Sequence, residues 1–500
     1  MSAPPKGSIR AGVRMTFLST IASGVLQFLV MTLLARLLTP AEYGAYALCV
    51  AISSLSAVFV SNVMERALVV EEADDEPADQ SAVLLILSIG ISLFALGTAW
   101  LLHVTGLLGV EPALLGATLL ANVIGAGAIM PRVLMRRRLN FGIIVGAELG
   151  GMLLGAGAMT VALAAAGWGS YALAGGAVFQ NIVLVLILRV RHRDARGWTR
   201  PSIARAVVLV RSAFDLGRTA AAEIVNGQVA PLVLATQLGV GPVGLFNRTY
   251  SLVQMPIQLL TSSMSRVMVS ALFAMRDERV RFRHNARVLV QVAGVVVAPV
   301  AAGIAGTNQT FLLLAFGPRW TDAAAFLPLL AMSAWAVMMG TLYGIAIEAM
   351  RAFAAKTRAQ VISTAFLIVL TLAGTRLGLT GAVVGIAASS CIYLLLSART
   401  AARVLEMRVV EVLGWLVPGI VVAMPCFAVA WAIGRGTETL TTPLRFAMQV
   451  AACGVVDALA MLLLFPAVAL LLIKNAAPVV LRLLPWLGGY LRNASKAVRP

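Results

Sequence analysis

Charged residues are scarce in this 500-residue chain: they make up 12% of the sequence, whereas 60% of the residues are hydrophobic. About a quarter of the residues in a typical soluble domain are charged, so a soluble chain of this composition would expose apolar surface and precipitate. Cysteine and histidine are rare, with four and three residues, and no CxxC or metal-ligand spacing occurs. The sequence therefore indicates neither a disulfide framework nor a metal site, and we expect no cofactor.

Long apolar runs fill most of the chain, and its mean hydropathy is +0.92. A run of about 20 apolar residues spans a bilayer as a helix, because a helix satisfies its own backbone hydrogen bonds in lipid. The sequence predicts an all-α polytopic membrane protein with about 14 transmembrane helices. The predicted spans are about 15–38, 44–63, 81–102, 112–130, 141–165, 168–188, 214–238, 243–266, 288–314, 323–347, 359–375, 381–398, 412–433 and 444–473.

Lysine and arginine are distributed unevenly among the predicted loops. With an even number of spans both termini lie on one side, and 32 of the 39 cations fall in the loops and tails of that side. The positive-inside rule therefore predicts a multi-pass membrane protein with both termini in the cytoplasm. Topology also accounts for the net charge of +18, so we expect contacts with membrane lipids and no nucleic-acid partner.

A short sequence echo suggests an internal duplication. Residues 34–46 recur 200 positions later, with Leu34, Ala35, Leu38 and Gly44 unchanged and Tyr46 replaced by Phe246. This offset corresponds to six spans, an even number, so the two copies run parallel; in transporters built from such repeats the substrate site lies between the halves. We predict an N-terminal lobe of six spans at 1–195, a C-terminal lobe of six spans at 196–405, two additional spans at 406–473 and an amphipathic cytoplasmic tail at 474–500.

The seventh span is far more polar than its counterpart, the first span. Its polar residues are Asp215, Arg218, Glu223, Asn226 and Gln228. An ionised group inside a membrane costs about 3 kcal/mol even on the lenient insertion scale, so such groups face a cavity or each other. Asp215 and Arg218 are three residues apart and can pair on one helix face, so one interpretation is a structural ion pair in a helix bent around Gly227 and Pro231. Glu223 has no oppositely charged residue three or four positions away, and we favour a cavity wall that binds substrate or a coupling ion.

Several further charged residues fall at or inside the predicted spans. Arg36 and Arg248 lie near the outer ends of the two related hairpins, where an arginine either extends to the headgroups or binds a diphosphate with its planar fork. Asp457 is isolated among apolar residues and is either protonated or hydrogen-bonded to a neighbouring helix. Glu348 is three residues from Arg351, which predicts a structural ion pair between them.

Three stretches of the sequence resemble one family, the bacterial polysaccharide (oligosaccharide-lipid) flippases. The stretches are LLARLLTPAEYGAYAL from residue 33, GVGPVGLFNRTYSLVQMP followed by SSMSRVMVSALFAMRDE from residue 239, and LAFGPRWTDAAAFLPLLA from residue 314. The family belongs to a superfamily with multidrug exporters and the peptidoglycan lipid flippase. The resemblance implies two six-helix lobes around a central cavity, often cationic, that opens alternately to each side. This sequence departs from that pattern in having few buried cations.

The resemblance also implies a function: transfer of a polyprenyl-diphosphate-linked oligosaccharide from the inner to the outer leaflet for surface or exopolysaccharide synthesis. Arg218, Arg248 and Arg36 would hold the diphosphate or acidic sugars, Asn226 and Gln228 would also bind the substrate, and Glu223, Asp215 and Asp457 would serve coupling or gating. The resemblance also implies a location in the bacterial inner membrane. A polysaccharide polymerase or a chain-length regulator is the expected protein partner. Two alternatives remain at this stage: an ion-coupled exporter of small amphipathic drugs, and an integral-membrane glycosyltransferase or polymerase. We expect the chain not to be an enzyme, because the sequence has no nucleophile–base set and every predicted outer loop is short.

Overall fold

The computed structural model describes residues 23–57, 77–105, 109, 111–137, 140–191 and 222–464, and every regular element in these ranges is a helix. The N-terminal helices are α1 (Ser23–Leu37), α2 (Pro40–Ala57), α3 (Pro77–Val104), α4 (Pro112–Ala126), α5 (Ile129–Arg137), α6 (Phe141–Gly151) continued by the π-helix Met152–Met159, α7 (Thr160–Ala165) and α8 (Ser170–Arg191). The C-terminal helices are α9 (222–238), α10 (Val240–Ala274), α11 (Arg279–Phe316), the 3₁₀-helix Pro318–Phe326, α12 (Leu327–Ala349), α13 (Phe353–Thr375), α14 (Gly378–Val404), α15 (Val409–Gly414), α16 (Val417–Gly436) and α17 (Thr442–Leu464). The predicted all-α class is confirmed for the described residues.

Ten helical segments of the described chain are long and apolar enough to cross a membrane. The protein is therefore a multi-pass membrane protein. The count of 14 spans, the two six-helix lobes and their boundaries, and the cytoplasmic position of the termini stay predictions. Residues 1–22, the boundary near residue 196 and the tail at 474–500 lie outside the described residues.

The turn between α1 and α2 shows how a short sequence signal sets a helix start. The hydroxyl of Thr39 accepts a hydrogen bond from the backbone N–H of Glu42 at 3.4 Å, and the carboxylate of Glu42 accepts one from the backbone N–H of Thr39 at 2.7 Å. This reciprocal pair is a capping box, and Pro40 occupies the first helical position, where no N–H is needed. The cap fixes the direction in which α2 leaves α1.

The long helices α10 and α11 connect two ends of the bundle. They contain 35 and 38 residues, or about 52 and 57 Å at a rise of 1.5 Å per residue, which exceeds the hydrocarbon thickness of about 30 Å. We call the end that holds the turns at residues 38–39, 239 and 317 the turn end. The opposite end, where Arg279 and Arg283 of α11 pair with Glu406 after α14, is called the basic end.

Candidate functional site

Two cavities lie against different faces of α10, and Gln254 of that helix borders both. Cavity I has a volume of about 600 Å³ and lies between α1, α8 and α10. Cavity II has a volume of about 440 Å³ and lies between α9, α10, α12, α13 and α14. Both volumes are in the range of small-molecule binding sites. The candidate binding region therefore lies along α10, which packs against both the N-terminal and the C-terminal helices.

The cavity walls contain many polar side chains but few charges. Among the described residues, the only charged side chains that line the cavities are Arg248 in cavity I and Glu223 in cavity II. The remaining polar lining consists of amides and hydroxyls, which both donate and accept hydrogen bonds. The described lining residues therefore carry a formal net charge of zero.

Arg248 occupies a position in α10 from which it reaches α1 and α2. Its Nη2 donates a hydrogen bond of 2.9 Å to the carbonyl oxygen of Met31, and its guanidinium lies 4.3 Å from the centre of the Tyr43 ring. A cation over an aromatic face is stabilised most strongly where water is excluded. Arg248 thus lines cavity I and also holds α1 and α2 against α10.

The contacts of Arg248 belong to a set that joins several helices at the turn end. The indole N–H of Trp320 donates a hydrogen bond of 2.8 Å to the carbonyl oxygen of Ala35, and the Trp320 ring packs edge-on against Tyr43 at 5.8 Å between centroids. Arg36 is exposed, donates a hydrogen bond of 3.0 Å to the carbonyl oxygen of Leu314, and lines neither cavity. These contacts join α1 to the end of α11 and to the 3₁₀-helix that follows it.

Glu223 belongs to a partly buried charge cluster that the sequence did not predict. The ammonium group of Lys356 in α13 donates hydrogen bonds of 2.6 Å to Glu223 of α9 and 2.7 Å to Glu348 of α12. The Lys356 side chain is 8% exposed, whereas that of Glu223 is 45% exposed and lines cavity II. The cluster of Lys356, Glu223 and Glu348 is called the charge triad below. With all three groups ionised, it carries a formal charge of −1.

The charge triad corrects one prediction made from the sequence. The side chain of Glu348 pairs with Lys356 and not with Arg351; the contact between residues 348 and 351 is a backbone hydrogen bond of 2.8 Å. The helical spacing argument failed because α12 ends at Ala349 and Arg351 has a left-handed backbone conformation, with φ of 58°. Two residues three positions apart lie on the same face only when both belong to one continuous helix.

Lys356 was missed because it was assigned to a loop between two spans. The structure places it in the first turn of α13, with its side chain across Gly344, where a Cβ would lie 3.0 Å from the lysine Cε. A signal was present in the sequence. Buried polar residues recur along α13 at helical spacing, and they are Lys356, Gln360, Ser363, Thr371 and Thr375. A polar stripe in an apolar helix indicates a face turned toward other polar groups.

The other predicted site residues fall in different places. Asn226 donates a hydrogen bond of 2.8 Å to the hydroxyl of Thr364, and both Asn226 and Gln228 line cavity II. Asp457 lies instead in a separate, mostly apolar cavity of about 290 Å³ between α11, α16 and α17, and its buried Oδ1 has no hydrogen-bond partner among the described residues. Asp215 and Arg218 lie outside the described residues. The structure therefore brings Glu223, Asn226 and Gln228 together in cavity II. Arg248 lies in cavity I, and Gln254 borders both cavities.

Comparison with known proteins identifies similar sequences. The profile of a family described as "Polysaccharide biosynthesis protein" matches residues 33–325. The succinoglycan biosynthesis transport protein ExoT of Rhizobium meliloti (strain 1021) is 26% identical over 333 residues, which cover 65% of this chain and 66% of ExoT. The lipopolysaccharide biosynthesis protein WzxC of Escherichia coli (strain K12) is 30% identical over 105 residues, or 21% of each chain. The chain thus spans just under two thirds of ExoT and about a fifth of WzxC.

Solved structures with the same fold include two kinds of transporter. The lipid II flippase MurJ in an inward closed conformation has a TM-score of 0.73 at 13% identity, covering 91% of this chain and 99% of MurJ. A multidrug resistance MATE family transporter in an inward-facing conformation has a TM-score of 0.59 at 13% identity, covering 80% of this chain and 99% of the transporter. These likenesses show the fold, and the family profile covers more than half of the sequence. The chain therefore belongs to the polysaccharide biosynthesis protein family, as the motifs of its hairpins predicted.

Proposed function

We propose that this protein is a flippase that carries a polyprenyl-diphosphate-linked oligosaccharide from the inner to the outer leaflet by alternating access. The observation that carries the proposal is the pair of polar cavities against α10. At the turn end, hydrogen bonds from Arg248, Trp320 and Arg36 hold α1 against α10, α11 and the 3₁₀-helix. Under the positive-inside orientation the turn end faces outward. The contacts at this end would then have to open to release the substrate, and the cavities would first receive it from the cytoplasmic side.

The residue roles follow the sequence predictions, adjusted to the geometry. Arg248 would bind the diphosphate; this role is supported by its five N–H donors, since the hydrogen bond to Met31 uses only one of its three nitrogens. Asn226 and Gln228 line cavity II, where they would contact the glycan. Glu223 gives the charge triad a carboxylate on the cavity wall, which is the position required of a coupling or gating group. Asp215, Arg218 and Asp457 keep their predicted roles as hypotheses, and Arg36 becomes a residue of the closed turn end.

A reconstitution assay tests the proposal. The full chain is placed in liposomes with a polyprenyl-diphosphate disaccharide that carries a fluorophore on the lipid, and an impermeant reductant bleaches the outer leaflet. We expect the fraction of protected fluorophore to fall faster than in protein-free liposomes. The variants Arg218→Gln, Arg248→Gln and Glu223→Gln should slow the transfer. Normal transfer by all three variants would contradict the site assignment, and transport of ethidium without transfer of the lipid would favour the drug exporter.

A further inference from the structure

We infer that the glycan held in the two cavities is uncharged, so that the substrate class is a diphosphate-linked oligosaccharide of neutral sugars. The inference rests on the proposed function and narrows it. It is carried by the chemistry of the cavity walls, where amides are numerous and unpaired cations are scarce.

Cavity I presents four glutamines, Gln27, Gln180, Gln254 and Gln258, which come from α1, α8 and α10. Cavity II adds Asn226, Gln228, Asn247 and Gln360 from α9, α10 and α13. Of these eight side-chain amides, Asn226 alone is hydrogen-bonded to the side chain or backbone of another residue in the described part of the chain. Seven amides therefore keep their hydrogen-bonding capacity for a ligand.

An amide matches a sugar hydroxyl because both groups donate and accept hydrogen bonds. A site built to hydrogen-bond its ligand also rejects ligands that leave its polar groups unpaired. Cavities of this composition therefore select a polyhydroxylated molecule over an apolar one.

The charges on the walls disfavour acidic sugars. Arg248 is the one cation among the described residues that line the cavities, and the diphosphate of the substrate needs it. Among the described lining residues a sugar carboxylate would find no cation besides Arg248, for which it would compete with the diphosphate in a cavity partly shielded from water. In cavity II it would also meet Glu223, which belongs to a charge triad of formal charge −1. The walls thus tolerate the diphosphate and oppose a second anionic group.

Two matched lipid probes test the inference in the reconstitution assay. One carries a neutral dihexose and the other a hexuronyl-hexose of the same linkage, each on the same labelled polyprenyl diphosphate. We expect the neutral probe to be transferred at least tenfold faster by the unmodified full-length protein. Equal transfer of both probes, or faster transfer of the uronate, would overturn the inference while leaving the flippase function intact. Transfer of neither probe would overturn both.

A variant at the junction of the cavities sharpens the result. Gln254→Lys adds a cation where both cavities meet, and we expect it to raise the uronate-to-neutral rate ratio by at least fivefold. The matched control is Gln309→Lys, which adds the same charge at an exposed position of α11 that lines neither cavity, and it should leave the ratio unchanged. A ratio that is the same for Gln254→Lys and the unmodified protein would contradict the electrostatic argument. If Gln254→Lys fails to insert, the tenfold criterion for the unmodified protein decides the question.

Discussion

The backbones of Gly44 and Gly244 lie directly against each other where α2 crosses α10. A Cβ on Gly44 would overlap the carbonyl oxygen of Val240, and a Cβ on Gly244 would overlap the carbonyl oxygen of Pro40. The contact is reciprocal, and the two glycines are the positions that correspond in the echo of 200 residues. The repeated sequence therefore supplies both halves of the packing that joins the N-terminal helices to the C-terminal helices.

Replacing either glycine by alanine should destabilise the protein. Gly44→Ala and Gly244→Ala each place a methyl group on a backbone carbonyl of the facing helix, and such overpacking costs about 1–3 kcal/mol. We expect a lower melting temperature in detergent and slower lipid transfer. Gly241→Ala is the matched control, because a Cβ at Gly241 meets no atom within 4 Å. Equal melting temperatures for the Gly241 and Gly244 variants would show that α2 and α10 are not packed closely enough at Gly244 to exclude a methyl group.

The fold was more predictable from the sequence than the site, and α12 and α13 show why. Apolar run length placed spans at 323–347 and 359–375, close to the observed α12 (Leu327–Ala349) and α13 (Phe353–Thr375). Helix formation in lipid depends on local composition, which the sequence displays directly. Lys356 lies in the gap between those two predicted spans, so the uncertainty of a few residues at a helix end was enough to assign a buried cation to a loop.

The charge triad could not be derived from spacing at all. Lys356 and Glu223 are separated by 133 positions in the sequence, and only the packing of α9 against α13 brings them together. Glu223 was expected on a cavity wall because an intramembrane carboxylate needs a polar environment, and its side chain lines cavity II. The identity of its ion-pair partner, Lys356, could be learned only from the tertiary structure. The polar stripe of α13 indicates a face turned toward polar groups, but its spacing does not tell which residue of another helix lies opposite.

Removing Lys356 should be strongly destabilising. Lys356→Met leaves Glu223 and Glu348 without their shared cation in a partly buried site, and breaking such a pair costs about 3 kcal/mol. We expect a large fall in melting temperature, measured by intrinsic fluorescence in detergent. Arg358→Met removes a cation from an exposed position of the same helix and should have little effect.

The carboxylates provide the complementary half of that experiment. Adding Glu223→Gln and Glu348→Gln to Lys356→Met replaces the triad by neutral groups of similar size, and we expect most of the lost stability to return. A triple variant no more stable than Lys356→Met alone would show that the lysine stem, packed across Gly344, matters more than its charge.

Arg248 should control how often the turn end opens. Arg248→Met removes the hydrogen bond to Met31 and the contact with the Tyr43 ring, and so it weakens the attachment of α1 to α10. In a background without native cysteines, we expect Gln27→Cys in cavity I to react several-fold faster with an impermeant maleimide added from the turn-end side. Arg435→Met is the control, since Arg435 also lies over an aromatic ring, 4.2 Å from the centre of Trp431, but in α16. An unchanged labelling rate in the Arg248 variant would show that Arg248 does not control opening of the turn end.

The basic end should confer a pH-dependent stability through Glu406. Hydrogen bonding from Arg279, together with the charges of Arg279 and Arg283, holds the pKa of Glu406 below its ordinary value of 4.5. A carboxyl group with a lowered pKa in the folded state stabilises the protein fully above its unfolded-state pKa, and this contribution is lost as the pH falls through the folded-state value. The melting temperature of the unmodified protein should therefore exceed that of Glu406→Gln at neutral pH, with the difference shrinking below a pH of about 4.5.

Because Glu406 is exposed, the difference should be small and should decrease with added salt. Glu411→Gln, at an exposed position of α15 outside these ion pairs, should show no such dependence; a difference for Glu406→Gln that grows as the pH falls would contradict the direction of the shift.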